Sequence, residues 1–499
     1  MRKMNVSLLN IQPLPSALLH SLRDIGYSME AAVADVIDNS ITAKAENINI
    51  RFSWNEGKPW FAIIDDGSGM SDFKLTDAMR LGSSDPLADR SEADLGRFGL
   101  GMKTASFSQC RQLTLISRTN NGQLSCREWD LDLIENDPNC TWALRVIEEA
   151  DLSNIHIIKE LLPILPSQGT IVLWRKLDRY DDLEKKLNSL IDRTRKHLEL
   201  VFHRYLSPKR GKKGLKIWIN HDPLVSFNPF NQKHPATKEL PEQKIIVGGK
   251  VVSVQPYVLP HYNKVNRNEY EGYGGEGGYL QNQGFYVYRN RRLIIKGTWF
   301  RLIKKEELTK LIRVQVDIPN SIDHLWNIDV KKSHASPSEV IRNELKNIIL
   351  KIADSGKRVY RQRGKKLLNT IKEPAWNRTA AGGTIKYGIN RKHPLLKNLH
   401  DSLNEKQQEN FKDFIMMIES SFPTELFYSD MAKRPENVQK PEFNIDKYST
   451  ILDKFIQQMI KADIPTKEIP LRILTTDPFA VYRDEIEKLL KSKGFNDEI

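Results

Sequence analysis

The chain has 499 residues, with 76 Lys and Arg against 63 Asp and Glu, giving a formal net charge of +13 and a pI of about 9.3. That length allows about two to four domains with sizeable cores. The basic balance favours an anionic partner such as nucleic acid, and the three cysteines, Cys110, Cys126 and Cys140, have neither paired nor zinc-ligand spacing, which fits a reducing cytosol. Met1-Arg2-Lys3 is not followed by an apolar signal core and no run reaches membrane-span length, so a cytoplasmic protein with no membrane role is expected.

Residues 1–27 hold Pro13, Pro15 and a short amphipathic segment at 17–25, read as an N-terminal arm. Residues 28–45 predict a helix: Ala32, Val33, Val36 and Ile37 fall on one stripe, and Ser28 stands at the cap position. Asp35 and Asn39 are four apart, on the same face. An amide oxygen there suits Mg²⁺, which takes oxygen ligands shared with phosphates and waters. A carboxylate there suits the orientation and deprotonation of a water. Trp60-Phe61-Ala62-Ile63-Ile64 predicts a buried strand that ends at Asp65 and turns through Gly67, Gly69 and Met70. Glycine lets backbone approach a ligand closely, and Asp65 at a strand end can accept a hydrogen bond from an exocyclic amine such as that of adenine. Further strands are expected at 48–54, 113–118, 124–131, 142–147 and 170–174. The polar interval 71–94, with Ser83, Ser84, Asp85, Pro86 and Asp89, is longer than an ordinary loop. After it, Leu95-Gly96-Arg97-Phe98-Gly99-Leu100-Gly101-Met102-Lys103-Thr104 presents glycine amides entering a helix, an anion nest to which Lys103 adds a point charge. The spacing is not that of Walker A, and no strand leads directly into it as a dinucleotide fingerprint requires.

In this order and spacing the blocks resemble the N-box and the two glycine boxes of the GHKL ATPases, the superfamily of gyrase B subunit, heat-shock chaperone, histidine kinase and MutL. Gly169-Thr170-Ile171-Val172-Leu173-Trp174 is similar to that superfamily's later Gly-Thr strand. The nearest likeness is to MutL, the MORC ATPases and the MORC-like ATPases of bacterial defence islands. The resemblance implies an α/β fold: a two-layer α/β sandwich (Bergerat ATP-binding fold), then an α+β transducer domain (ribosomal-protein-S5-like), then a small α-helical C-terminal domain. It implies ATP and Mg²⁺ as cofactors. Asp35 matches the general base, Asn39 the magnesium ligand and Asp65 the adenine reader. Gly67, Gly69 and Met70 match the first glycine box, and Gly96, Arg97, Phe98, Gly99, Leu100, Gly101, Met102, Lys103 and Thr104 the second, with Lys103 near the terminal phosphates. Thr170 matches the threonine of the adenine-side water network, and 71–98 the lid. There are two departures. Asp35 is one methylene shorter than the usual Glu, which puts the rate of hydrolysis in question, and Thr42 stands where an acid often follows the Asn.

On this reading residues 1–205 form the ATPase domain with its arm and lid, 206–370 the transducer with a long C-terminal helix, and 371–499 a linker and helical C-terminal domain. Residues 181–205 predict a helix, followed by a cationic loop at Lys209–Lys213. The stretch 284–294 reads as a hairpin whose Arg289-Asn290-Arg291-Arg292 turn points charge outward. It resembles a Tyr-x-Asn-x-Arg-Leu hairpin of MORC and MutL transducers. Residues 269–278, rich in Gly and Tyr, read as a mobile loop. In MutL-type proteins a transducer lysine reaches the γ-phosphate; Lys331 or Lys332 is the match, with Lys332 preferred. Residues 337–369 predict a helix ending in a basic cluster at 357–366, 373–387 a linker, and 403–421, 424–431, 448–462 and 478–492 helices. The eleven histidines show no pair at ligand spacing.

The function implied is an ATP-gated, dimerising clamp or switch that hydrolyses ATP slowly and meets DNA through the basic loops. Its implied setting is anti-phage defence or restriction, beside nuclease or helicase partners. The alternatives are a chaperone-like ATPase acting on protein clients and a nucleotide switch with little hydrolysis. A histidine kinase is disfavoured because no phospho-acceptor helix precedes the pocket.

Overall fold

The computed structural model describes residues 13–24, 26–82, 101–120, 122–137, 139, 141–180, 184–207, 213–326, 336–352, 372–381, 384–424, 426–427 and 444–495. The chain divides into two compact units, Met1–Pro260 with Asn268–Ala353, and His261–Arg267 with Asp354–Ile499. The protein is a mixed α/β protein in which each of the larger sheets is backed by helices.

The first sheet has eight strands: β1 (Asn47–Ser53), β2 (Trp60–Asp65), β3 (Gln112–Arg118), β4 (Leu124–Asp130), β5 (Arg145–Ile147), β6 (Gly169–Arg175), β7 (Lys216–Ile219) and β8 (Asp222–Pro223), in the order β5-β4-β3-β6-β2-β1-β7-β8. Alternate residues of β2 explain its uninterrupted apolar run. Phe61 and Ile63 join the core beneath the helices Met29–Thr42, Gly101–Gln109 and Glu184–Val201, while Trp60, Ala62 and Ile64 join a second cluster under the short helical segment that carries Leu152, Ile158 and Leu161. The helix Pro15–Arg23 is held on the same domain. Leu19 is buried, and Arg23 donates to Asp178 at 2.7 Å and to the Cys110 carbonyl at 3.2 Å. Residues 1–12 lie outside the described residues.

The strand β7 falls within 206–370, the span expected to form the transducer domain. It instead lies parallel to β1, with Asn47 opposite Lys216. Ile217 and Ile219 are both buried there, so β7 extends the first core.

The second sheet comprises β9 (Lys238–Glu239), β10 (Gln243–Val247), β11 (Lys250–Val258), β12 (Gly284–Arg289), β13 (Arg292–Thr298) and β14 (Ile312–Ile318). Its order is β10-β11-β14-β12-β13, with β9 paired to β11. One face packs on Ile341, Leu345, Ile348, Ile349 and Ile352 of the helix at 339–352. The other carries Tyr257, Tyr286, Tyr288 and Leu293, which cluster with Phe230 and Leu200.

Two further expectations are corrected here. The stretch 269–278 is largely helical, as Arg267–Gly274 and Gly278–Gln281, because Tyr270 stacks on Tyr279 at 4.4 Å and the Asn282 amide donates to the Gly274 and Gly278 carbonyls. The segment read as a linker is a hairpin of β15 (Trp376–Ala381) and β16 (Thr384–Ile389). It is fixed where Glu419 accepts from the Ile389 amide at 2.6 Å.

The second unit has its own core, built from Leu452, Phe455, Met459, Ile469, Ile473, Phe479, Ile486 and Leu490 on the helices Ile445–Lys461, Ile469–Leu474 and Arg483–Ser492 and the turn Phe479–Tyr482. Among the described residues, no helix is long and apolar enough to cross a membrane.

Candidate active site

The N-box residues sit on the helix Met29–Thr42, whose N-cap Ser28 accepts the Ala31 amide. Its inner face is apolar, and packing of Ala32, Val33, Val36 and Ile37 fixes which way the polar face turns. Asp35 is only 4% exposed and accepts from the Tyr27 hydroxyl at 3.1 Å. Asn39, on the same face, is exposed; its amide nitrogen donates to the Asp35 carbonyl at 3.2 Å. That bond assigns the amide oxygen as the atom that can meet a hard cation, so the donor chemistry at Asn39 fits Mg²⁺.

Ser40, the next residue, reaches the first glycine box. Its hydroxyl donates to Asp65 Oδ2 at 2.8 Å, while Asp65 Oδ1 accepts the Gly67 amide at 2.9 Å. Burial pushes the Asp65 carboxyl above its ordinary pKa, opposed by the bonds from Ser40, Gly67 and the Thr170 backbone. Each carboxylate oxygen has a second lone pair, which leaves acceptor capacity for an exocyclic amine. Thr170 faces Asp65 across β6 and β2. Its hydroxyl is 2.9 Å from that of Ser117, which also donates to the Gly169 carbonyl at 3.1 Å and accepts the Met70 amide at 2.8 Å.

The glycines of the first box have a packing reason that the sequence did not reveal. A Cβ on Gly69, at φ +63°, would lie 2.0 Å from the Arg118 carbonyl oxygen, and one on Gly67 would lie 2.8 Å from the Ala43 Cβ. Both positions let the turn after β2 close on its neighbours, whatever they also do for a ligand.

From the second box, the described residues begin at Gly101, where a Cβ would sit 3.7 Å from Asp35 Oδ2. The box therefore enters its helix directly beside Asp35. Met102 packs on the core and Thr104 donates to the Gly101 carbonyl at 3.3 Å. Lys103 is buried, and its ammonium donates to the Arg80 carbonyl at the end of the helix Asp72–Met79. Desolvation lowers its pKa to about 8, against the opposing pull of Asp77. Gly96, Arg97, Phe98, Gly99 and Leu100, most of the lid, and Lys331 and Lys332 lie outside the described residues.

The hairpin turn expected to point charge outward is instead flanked by buried Arg289 and Arg292, with Asn290 and Arg291 between them half-buried. Asn290 and Arg291 have φ of 45° and 68°, the left-handed backbone of a two-residue hairpin turn. Arg289 pairs with Asp323 at 2.8 Å, and Arg292 lies 2.7 Å from Asp38 and 3.4 Å from Asp35. The turn turns inward because buried carboxylates await two of its arginines, so it is withdrawn as an outward-facing cationic loop. Of the other basic loops, Lys213 is exposed 3.4 Å from Glu46, while 208–212 and 357–366 lie outside the described residues.

The structure thus brings together Asp35, Asn39, Asp65, Gly67, Gly101 and Thr170, with Tyr27, Asp38, Ser40, Ser117 and Arg292 as contacts that the sequence did not single out. Asp38 and Ser40 flank Asn39 and were visible in the motif; Ser117 becomes apparent only when β3 pairs with β6.

Residues 27–161 match the family described as histidine kinase-, DNA gyrase B-, and HSP90-like ATPase. Among curated proteins, the ATPase morc-1 of Caenorhabditis elegans is 24% identical over 291 residues, covering 44% of this chain and 33% of the relative. The human structural maintenance of chromosomes flexible hinge domain-containing protein 1 is 29% identical over 117 residues, covering 18% of this chain and 6% of the relative. The chain thus spans a third or less of these relatives. The matched span holds Asp35, Asn39, Asp65 and both glycine boxes, so the chain contains a GHKL-type ATPase domain similar to that of the MORC ATPases.

Proposed function

We propose that this protein binds ATP between the Asp35–Asn39 helix face and the two glycine boxes, hydrolyses it slowly, and uses the nucleotide to gate dimerisation as a clamp or switch on DNA. The observation that carries the reading is convergence. One helix places Asp35 against Gly101 and, one residue past Asn39, ties Ser40 to Asp65. Asp65 would read the adenine amine, with Thr170 and Ser117 ordering water beside it. Asp35 would orient and deprotonate the attacking water, with Tyr27 fixing the rotamer of its carboxylate. Asn39 would hold Mg²⁺, whose charge neutralises phosphate oxygens when bound. Lys103 would exchange the Arg80 carbonyl for a phosphate oxygen, a short reorientation for a long side chain, and Lys332 would act from the second domain.

DNA as the partner is supported by the net charge of +13 and by the similarity to MORC-type proteins. A place in anti-phage defence or restriction, with nuclease or helicase partners, is supported by resemblance alone. Sizing in solution with a non-hydrolysable ATP analogue, with and without DNA, tests the proposal. It predicts a nucleotide-dependent dimer and DNA retention that falls steeply with salt. A monomer under all conditions contradicts the clamp, and salt-independent retention favours action on protein clients.

A further inference from the structure

The second sheet meets the helix Met29–Thr42 at a buried cluster of charge. Arg292, the first residue of β13, is 5% exposed. Its Nε donates to Asp38 Oδ1 at 2.8 Å and its Nη2 to Asp35 Oδ1 at 3.4 Å. Asp38 is 1% exposed, so this ion pair belongs to the interior. A guanidinium is a rigid planar fork that addresses two carboxylates in fixed directions, which a lysine ammonium on its flexible stem does not.

The turn that delivers Arg292 is itself held firmly. The Tyr205 hydroxyl donates to the Asn290 carbonyl, and the Arg291 guanidinium lies 4.8 Å from the centre of the Tyr205 ring while donating to the Arg204 carbonyl. Arg289 is pinned by Asp323. The position of Arg292 therefore reports the seating of the whole β12–β13 hairpin. At the other end, Asp35 is gripped on Oδ2 by Tyr27 of its own domain and on Oδ1 by Arg292 of the second sheet.

We propose that Arg292 is a positioning residue for ATP hydrolysis, carrying the placement of the β12–β13 hairpin to the carboxylate of Asp35 so that turnover follows the seating of the second sheet. This rests on the reading of Asp35 as the base. Proton abstraction demands a carboxylate within hydrogen-bond reach of its water, and small misplacements of a reacting group cost large factors in rate. Moving the hairpin moves the fork, and the fork holds one of the two oxygens. Arg292 lies about forty residues before the lysines at 331–332 in the chain and is a separate candidate.

The test compares full-length wild type with Arg292→Lys and with the double variant Asp38→Asn/Arg292→Gln. Arg292→Ala alone would take the cation from the buried Asp38 carboxylate and risks unfolding; the double variant removes both charges together. Steady-state hydrolysis, affinity for a non-hydrolysable ATP analogue and the thermal midpoint are measured on each. The expected result is a kcat lowered by about tenfold or more in both variants, with analogue affinity within about threefold of wild type and a comparable thermal midpoint. Wild-type kcat in both variants overturns the proposal. So does a parallel fall of kcat, affinity and thermal midpoint, which marks a purely structural pair. Failure of the wild type to bind or hydrolyse ATP is read before any variant; it overturns the parent function and this inference with it.

Discussion

The Ser40 hydroxyl donates to Asp65 Oδ2 at 2.8 Å, joining the helix that bears Asn39 to the end of β2. Through that bond the prospective cation ligand and the prospective adenine reader share one rigid frame, since Asp65 also holds the Gly67 amide and pairs across β6 with Thr170. Asn39 and Asp65 are thereby set at a fixed separation by backbone elements and short side chains and not by the mobile ends of long ones. Loss of the Ser40 hydroxyl should loosen that frame. Ser40→Ala is expected to weaken ATP binding by about 2 kcal/mol, the worth of one hydrogen bond to a charged group, as read by calorimetry.

Asp35→Asn keeps the shape of the side chain and its contact with Tyr27 but cannot take a proton. ATP binding should persist while turnover falls by about two orders of magnitude or more, the usual contribution of a general base. Turnover in a coupled phosphate-release assay that matched wild type would remove Asp35 from this role.

Gly69→Ala should destabilise the first unit. The added methyl would lie 2.0 Å from the Arg118 carbonyl oxygen, at a left-handed φ of +63°. Strain and overpacking together are worth about 3 kcal/mol, which urea denaturation of the variant would show. Unchanged stability would mean that the turn after β2 is slack.

Lys103 gives a pH signature. Its folded pKa is lowered to about 8 from the ordinary lysine value of 10.5 by burial. Between those two values the unfolded chain holds a proton that the folded protein has released, so this group makes stability rise with pH across that window. Below about pH 8 both states are protonated, and the burial cost of the charge is then present in full. Lys103→Met removes the titration. Relative to wild type, the variant's thermal midpoint should lose that rise between pH 8 and 10; identical pH dependence in the two proteins would contradict the assignment.

The parts of the fold that were legible in the sequence are those whose signal is local. β2 was readable because both its faces are buried, leaving a continuous apolar run, and the N-box helix because one apolar stripe sets its polar face. The grouping of Asp35, Asn39 and Asp65 in space was readable because short motifs carry them. The burial of the arginines flanking the β12–β13 turn was not, because Arg292 and Asp38 are 254 residues apart and an Arg-Asn-Arg-Arg turn looks solvated until a carboxylate is brought to it. The helix Arg267–Gly274 was hidden by its glycines, since the stacking of Tyr270 on Tyr279 that supports it is not a helical repeat. The β15–β16 hairpin was missed because Gly382 and Gly383 mark a linker and a hairpin turn equally well.

The central claim, that ATP occupies the frame around Asp65, is tested most directly by calorimetry of a non-hydrolysable ATP analogue, with Mg²⁺, against wild type and Asp65→Asn. The substitution is isosteric, and Ser40 can reverse its hydroxyl to accept from the new amide, so the fold should survive. The account predicts saturable binding at one site per chain in the wild type, weakened at least about tenfold, or roughly 1.4 kcal/mol, in the variant. No binding to the wild type, or equal affinity in a folded variant, would contradict it.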